Sequence, residues 1–371
     1  MGARRFKLLG MGTFFGDFVY QRAVEPDHFL RQLASLIDWE WFTDRLIRLY
    51  QGGAEIGRPP YNPVVILKML LLSYLYNLSE RQTEVYCNDS LSAKCFWGLA
   101  VDEAAPDHSI LTAFKRRIIE TGGERTLREL LAEIVATAVR QGVQFGSIQI
   151  VDSTHTVANV NVEKDERRQA KEGKAARDRD ARWGVKHTRR YRNEQGQAVE
   201  QKEYFYGYKT HTSLNAEAEM ITSVTVTAGN APDGKQLMKL VEHDLAQGLP
   251  VETYSGDRGY DDSENHYGLA SRGLHSALKL NRYRTEKKDR HKEVWVALKQ
   301  TPQYQAGQKV RYKIERKYGE GKSNHGLGRC RYVGYIRMVI QAYLTAITLN
   351  VKRLVKLVSG VNFKRRANAG D

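Results

Sequence analysis

Ser147-Ile148-Gln149-Ile150-Val151-Asp152 is where the chain changes period. Upstream of it, apolar residues recur at helical spacing. Here they alternate with polar ones, the pattern of a half-buried strand, and the run ends on a carboxylate. Downstream, residues 204–214 and 220–228 form two β-rich runs joined by Asn215-Ala216-Glu217-Ala218-Glu219, a predicted hairpin. Residues 233–245, apolar at Leu237, Leu240, Val241 and Leu245, read as an amphipathic helix. A short strand at 251–255 runs into Gly256-Asp257, a helix follows at 263–271, and another strand at 275–280. Residues 304–318 read as helical, the glycines at 319, 321, 326, 328 and 334 as breaks, and 335–358 as a last long helix.

Three strands in a row followed by strand–helix alternation predict an α/β fold, a mixed sheet flanked by helices, in the element order of a ribonuclease H-like core. Residues 163–201 are charged, poor in aliphatics and punctuated by Gly173, Gly184 and Gly196, so they read as a surface insertion. Trp183 inside it has two readings, a base-stacking side chain or a plug in the core.

Working backwards from Ser147, the chain reads as all-helical. Pro63 opens a core helix at its favoured first-turn position, ahead of Val64, Val65, Ile66, Leu67, Met69, Leu70, Leu71, Leu72 and Leu75. Ser79 with Gln82 forms a predicted capping box. Asp107-His108-Ser109 precedes an amphipathic helix, and 125–140 is another. Such short helices suit a helix-turn-helix-like module or an all-helical packing or dimerisation domain; periodicity does not separate the two. The expected organisation is a helical domain over 1–142, a core over 143–358 with an insertion at about 160–201, and a basic tail over 359–371.

The 371 residues carry 58 Lys and Arg against 43 Asp and Glu, a net +15. Residues 281–337 hold 16 basic and 5 acidic residues, a net +11, and residues 351–371 add +5. Charge concentrated in this way is the footprint of a polyanion partner, nucleic acid above all. With 41% hydrophobic residues, global disorder is excluded. The three cysteines, Cys87, Cys95 and Cys330, have no CxxC spacing, which argues against a disulfide framework or a zinc ribbon and fits a reducing cytosol. The longest apolar run, 64–78, is too short to cross a bilayer, and the basic N-terminus lacks the apolar stretch of a leader, so no membrane association is expected.

Two predicted strands end on a carboxylate, Asp152 and Asp257, and strand carboxyl ends in α/β sheets are where ligands bind. Each Asp taken singly also fits an ordinary turn or helix cap. Hard divalent ions take carboxylate oxygens, and two such ions about 3.5–4 Å apart can activate an attacking oxygen and stabilise a leaving one in phosphoryl transfer. A third carboxylate would complete a minimal set. Glu286, Asp289, Glu293, Glu315 and Glu320 are the candidates, and a salt-bridge role for Glu315 among Arg311, Lys313, Arg316 and Lys317 is the alternative.

These residues resemble a known family. Arg311, Glu315 and Lys322 have the spacing Arg, three residues, Glu, six residues, Lys that marks the DDE transposases of bacterial insertion sequences, in the large group named after the fifth insertion sequence. Asn324-His325-Gly326-Leu327 and Arg329-Cys330-Arg331-Tyr332 are also similar to it, whereas Gln308 stands where the family has Tyr. Val151-Asp152-Ser153-Thr154, Gly207-Tyr208-Lys209-Thr210-His211 and Asp257-Arg258-Gly259-Tyr260 resemble its strand motifs. Gly57-Arg58-Pro59-Pro60-Tyr61-Asn62-Pro63, Leu78-Ser79-Glu80-Arg81 and Pro106-Asp107-His108-Ser109 resemble its helical N-terminal domain. The likeness runs from about residue 20 to 357, and the number and order of the motifs make it specific.

The resemblance implies a transposase that binds element ends and catalyses metal-dependent cleavage and strand transfer. In that reading Asp152, Asp257 and Glu315 hold two Mg2+ ions, with Mn2+ as a substitute. Water is activated first, and a freed 3′-OH then attacks target DNA. Arg311, Lys322, Arg329, Arg331 and Lys209 are implied to contact DNA; pairing with Glu315 is the other role open to Arg311 and Lys322. His155 and His211 are structural or support the site. Asn230 and Asp233 are expected to cap the next helix, and Asp261 and Asp262 the helix at Ser263. The implied partners are double-stranded DNA, as terminal inverted repeats and target, and a second copy of the chain. The implied location is the bacterial cytoplasm, at the nucleoid when DNA-bound. A nuclease without strand transfer and a non-catalytic DNA-binding regulator are the competing readings.

Overall fold

The computed structural model describes residues 6–363 apart from 8, 11–13, 51–58, 282–284, 286–289 and 291. Gly57 and Arg58, the candidate carboxylates Glu286 and Asp289, and residues 364–371 of the expected basic tail therefore lie outside the described residues. The chain divides into two compact units, residues 1–143 with 344–371, and residues 144–343.

The first unit is helical: α1 (Phe14–Ala23), α2 (Phe29–Leu36), α3 (Trp39–Leu46), α4 (Pro63–Leu75), α5 (Glu80–Asp89), α6 (Leu91–Trp97), α7 (Ser109–Arg117) and α8 (Gly123–Arg140). Its centre is α4, in which every residue but Lys68 is buried. Asn62 caps it by accepting from the Val64 amide, and Pro63 occupies the first turn, where no amide is needed. Lys68 donates to the Phe96 carbonyl at 2.9 Å and lies over the rings of Trp39 and Phe96 at 4.6 and 5.0 Å. Burial pushes its ammonium down to about 8. The expected capping box is present, with Ser79 and Gln82 each accepting from the other's backbone amide.

The second unit contains β1 (Ile148–Val157), α9 (Val162–Glu172), β2 (Arg182–Arg192), β3 (Ala198–Asn215), β4 (Ile221–Ala228), α10 (Leu237–Leu245), β5 (Thr253–Gly256), α11 (Ser263–Ala270), β6 (His275–Leu278), α12 (Lys292–Gln300), α13 (Pro302–Val310) and α14 (Tyr312–His325). The last helix, α15 (Tyr335–Ser359), contributes its first turns here and the remainder to the helical unit. β1 pairs antiparallel with the second half of β3 and parallel with β5, and β5 pairs parallel with β6. β4 pairs antiparallel with the other edge of that same half of β3. The result is a mixed sheet in the order β4-β3-β1-β5-β6, in which β1, β4, β5 and β6 run one way and β3 the other. The first half of β3 pairs with β2 as a ribbon extending the sheet. α10 and α11 cover one face through Val151, Tyr254, Leu240 and Leu278. α13 covers the other, and Gly307 permits its close approach: a Cβ there would lie 2.5 Å from that of Ala277.

Four sequence expectations are corrected. β1 does not end at Asp152 but continues to Val157, because Thr154 and Thr156 maintain the alternation and pair with Thr210 and Tyr208 of β3. The charged insertion is structured, containing α9 and β2, and β3 begins at Ala198 instead of Tyr204. The helix expected at 304–318 is two helices, α13 and α14, with Arg311 between them. Gly319 and Gly321 do not break α14, which runs on to a left-handed Gly326 at φ 72°. A helical glycine costs only about 1 kcal/mol, which tertiary packing overrides.

Candidate active site

Sheet register brings the two aspartates together. β1 and β5 pair as Ile148–Thr253, Gln149–Tyr254 and Ile150–Ser255. Continued two residues past the last pair, the same offset sets Asp152 beside Asp257. β5 ends at Gly256, so Asp152 lies within one strand and Asp257 just beyond its neighbour's end, where the edge of β1 has lost its partner. Both are half-buried. Asp152 Oδ1 accepts from the Ser153 amide at 2.8 Å, and Asp257 Oδ1 from the Gly259 amide at 2.8 Å. Among the described residues, neither carboxylate has a cation within ion-pair distance. Burial and the Asp257 charge push Asp152 up to about 7, only partly offset by the Ser153 amide and by Arg311. Burial likewise raises Asp257, with Asp233 adding to it and the Gly259 amide, Arg311 and Lys209 opposing.

Glu315 stands differently. It lies in the first turn of α14 with its side chain 57% exposed, and it accepts from Arg311 at 3.0 Å. Asp152, Asp257 and Glu315 do not close on one point. Among the described residues, the set of three ligand atoms all within 4.8 Å of one another is Glu84, Asp107 and His108 of the helical unit. That set is explained locally: Glu84 accepts from the His108 amide and sits 2.6 Å from its Nδ1, clamping the start of α7. Arg311 is the link between the sheet carboxylates and Glu315, since its charge acts on both aspartates while its guanidinium holds Glu315. Tyr318 on α14 ties the helix to β1, donating to the Asp152 carbonyl at 2.6 Å and sharing a hydrogen bond with Thr212 at 2.7 Å.

The residues present suit a divalent cation. Asp257 raises the proton affinity of the half-buried Asp152, neither has an ion-pair partner among the described residues, and a hard cation at their oxygens removes that repulsion. Residues 144–351, more than half of the chain, match the family described as Transposase DDE domain, and residues 18–117 match the one described as Transposase domain (DUF772). The chain belongs to the DDE transposase family. The curated "Transposase for insertion sequence element IS1106" of Neisseria meningitidis serogroup B is 28% identical over 243 residues, 63% of this chain and 75% of that one. Among solved structures, a piggyBac transposase synaptic complex with hairpin DNA aligns with 97% of this chain and 80% of that one, at 9% identity and a TM-score of 0.41. A Mos1 transposase paired-end complex aligns with 74% and 83%, at 10% identity and a TM-score of 0.20. The transposase family carries DNA transposition by phosphoryl transfer, with dependence on a divalent metal ion.

The cations expected to meet DNA are dispersed over this transposase unit. Lys322 is half-buried beside Lys186 of β2, whose charge together with burial lowers its ammonium from the usual range. The same two lysines flank His155, which burial above all pushes down to about 4 and which packs on Phe205 at 5.0 Å. Arg329 is exposed at a short bridge to Val157. The Arg331 amide donates to Gln341 at 2.7 Å. Lys209 is held inward by Asp233 at 2.9 Å and the Ala231 carbonyl at 3.0 Å. His211 is fully buried, its Nε2 2.8 Å from the Thr227 hydroxyl. Trp183 does not plug the core: it is 50% exposed on the β2–β3 ribbon, on the same face as the exposed Val185 and Tyr204, and meets Tyr206 at 5.5 Å.

Two cap assignments are corrected, and one exposes a residue that sequence reasoning missed. Asp262 does cap α11, accepting from the Glu264 amide, but Asp261 instead binds His266, the Asn281 amide and the Thr285 hydroxyl. Neither Asn230 nor Asp233 caps the helical segment that follows β4, where Pro232 holds the cap position. Asp233 turns towards the aspartate pair. The signal was present in its position: like Asp257, it follows a strand that runs parallel to β1.

Proposed function

We propose that Asp152 and Asp257, completed by Glu315, hold two Mg2+ ions, with Mn2+ able to replace them, and that this is where the transposase cuts and joins DNA. The observation that carries the proposal is the register that sets Asp152 and Asp257 side by side with no ion-pair partner for either among the described residues. When bound, the ions would supply a polarised water or 3′-OH and a charge to stabilise the leaving oxygen. The chain's own residues do the rest. Asp152 and Asp257 would hold the ions from the neighbouring strands β1 and β5. Arg311 holds Glu315 on α14 until substrate draws the helix's first turn inward. Lys322 and Lys186 offer positive charge beside the edge of β1, and Arg329 and Arg331 extend it along the backbone. The exposed Trp183 and Tyr204 of the ribbon would stack on unpaired bases.

The motifs at Arg311, Glu315 and Lys322 favour the group named after the fifth insertion sequence. The helical domain over 1–142 would bind the terminal inverted repeats or assemble a dimer on them, and the core over 143–358 would carry the chemistry. No described helix is long and apolar enough to cross a membrane. Action on DNA in the bacterial cytoplasm, at the nucleoid, fits that together with the charge.

The test is cleavage of a DNA carrying the element end. Asp152→Asn should abolish Mg2+-dependent cutting while end binding survives. A variant that still cuts shows the metal assignment to be wrong. Product joined to target DNA separates a transposase from a nuclease, and a wild-type chain that binds ends without cutting them favours the regulator.

A further inference from the structure

Asp233 begins the turn after β4, and β4 runs parallel to β1 and β5, so its carboxylate lies on the same edge of the sheet as Asp152 and Asp257. Its two oxygens have different surroundings. Oδ1 accepts from Lys209 at 2.9 Å and lies 3.9 Å from Nδ1 of the fully buried His211. Oδ2 faces Gly259, and no hydrogen bond to it is found among the described residues. A Cβ on Gly259 would stand 3.0 Å from Asp257 Oδ1 and 3.7 Å from Asp233 Oδ2. The glycine thus leaves open a small gap onto which both carboxylates face.

Two buried polar groups near these carboxylates lack partners. The hydroxyl of Tyr260 is fully buried and has no hydrogen-bond partner among the described residues, and the charges of Asp152, Asp233 and Asp257 all bear on it. Nδ1 of His211 is likewise buried and unpartnered. Three carboxylates, with Lys209 and the charge of Arg311 acting on them, leave net negative charge in a half-buried place, which a hard cation relieves.

We infer that Asp233 is a further carboxylate ligand of the divalent-ion site, turning Oδ2 to the cation while Oδ1 anchors Lys209. The inference rests on the assignment of Asp152 and Asp257 as metal ligands. It gives Lys209 a role beside the site, neutralising Oδ1 of Asp233 and leaving Oδ2 open.

The test is Mn2+ binding to the full chain without DNA, followed by titration calorimetry, with thermal melts as a check on folding. Asp233→Asn should weaken Mn2+ binding at least about tenfold, and Asp233→Glu should recover most of it. Lys209→Met should not reproduce the loss, since it removes a cation from the site. Wild-type Mn2+ affinity in Asp233→Asn, or an equal loss in Lys209→Met, overturns the inference and leaves Asp233 as a mere anchor. Should Asp233→Asn fail to fold, Fe2+-directed hydroxyl-radical cleavage of the wild-type chain decides. Cuts at 152, 233 and 257 support the inference, and cuts at 152 and 257 alone overturn it. No cut at any of the three overturns the underlying assignment as well.

Discussion

The sheet carboxylates and the helix carboxylate of this transposase are held by different physics. Asp152 and Asp257 are fixed by strand register: three backbone pairs between β1 and β5 determine where both must lie, and repulsion between them is part of the fold. Glu315 is placed by one helical turn and an i,i+4 pair with Arg311, largely in solvent, an arrangement worth about 0.3–0.5 kcal/mol. The first pair is preformed by the sheet. The third group is held by a weak, largely exposed pair that costs little to break. The contrast teaches that neighbouring carboxylates can be ordered by a sheet in one part of a fold and left adjustable on a helix in another.

The largest effect expected is on cleavage. Asp152→Asn or Asp257→Asn should lower Mg2+-dependent cutting of an element end by about 10³-fold or more, roughly 4 kcal/mol of barrier. Glu315→Gln should lower cutting too, and here the comparison can be broken. Without DNA, the aspartate variants should lose Mn2+ affinity by at least about tenfold, and Glu315→Gln by less than about threefold; equal losses measured by calorimetry would show that all three are preorganised alike.

A third expectation concerns stability without metal. Asp152 releases its proton near 7 when folded and near 3.8 when unfolded. The native chain therefore holds the extra proton between those values, and its stability falls as pH rises through that window. In chelator, Asp152→Asn should melt above the wild type at pH 8, and the gap should narrow towards pH 4; a constant gap would contradict the repulsion. The smallest effect is that of Arg311→Met. Removing the charge that holds both aspartates down should raise the Asp152 titration, followed by carboxyl NMR, by less than about one unit, and an unchanged titration would detach Arg311 from the sheet pair.

The sheet and its order were legible because alternation in residues 147–151, 204–214 and 220–228 reports directly on burial. The aspartates were legible because Asp257 follows a strand and Asp152 follows the alternating run at 147–151. Strand length was not: Asp152 looked terminal because Ser153-Thr154-His155-Thr156 is polar, yet Thr154 and Thr156 are buried between neighbouring strands, which sequence periodicity reads as surface. The ribbon was hidden for the same reason, since a two-stranded extension with both faces partly wet has no apolar signature. Asp233 was misread because a helix cap and a site carboxylate occupy the same place after a strand, and only the position of Lys209 and Gly259 separates them.

The most direct measurement is the anomalous scattering of Mn2+ in a crystal of the full chain. A peak within about 2.3 Å of carboxylate oxygens of both Asp152 and Asp257 is the result expected from their shared register. A peak elsewhere, at Glu84, Asp107 and His108 for example, with none between the two aspartates, would contradict it.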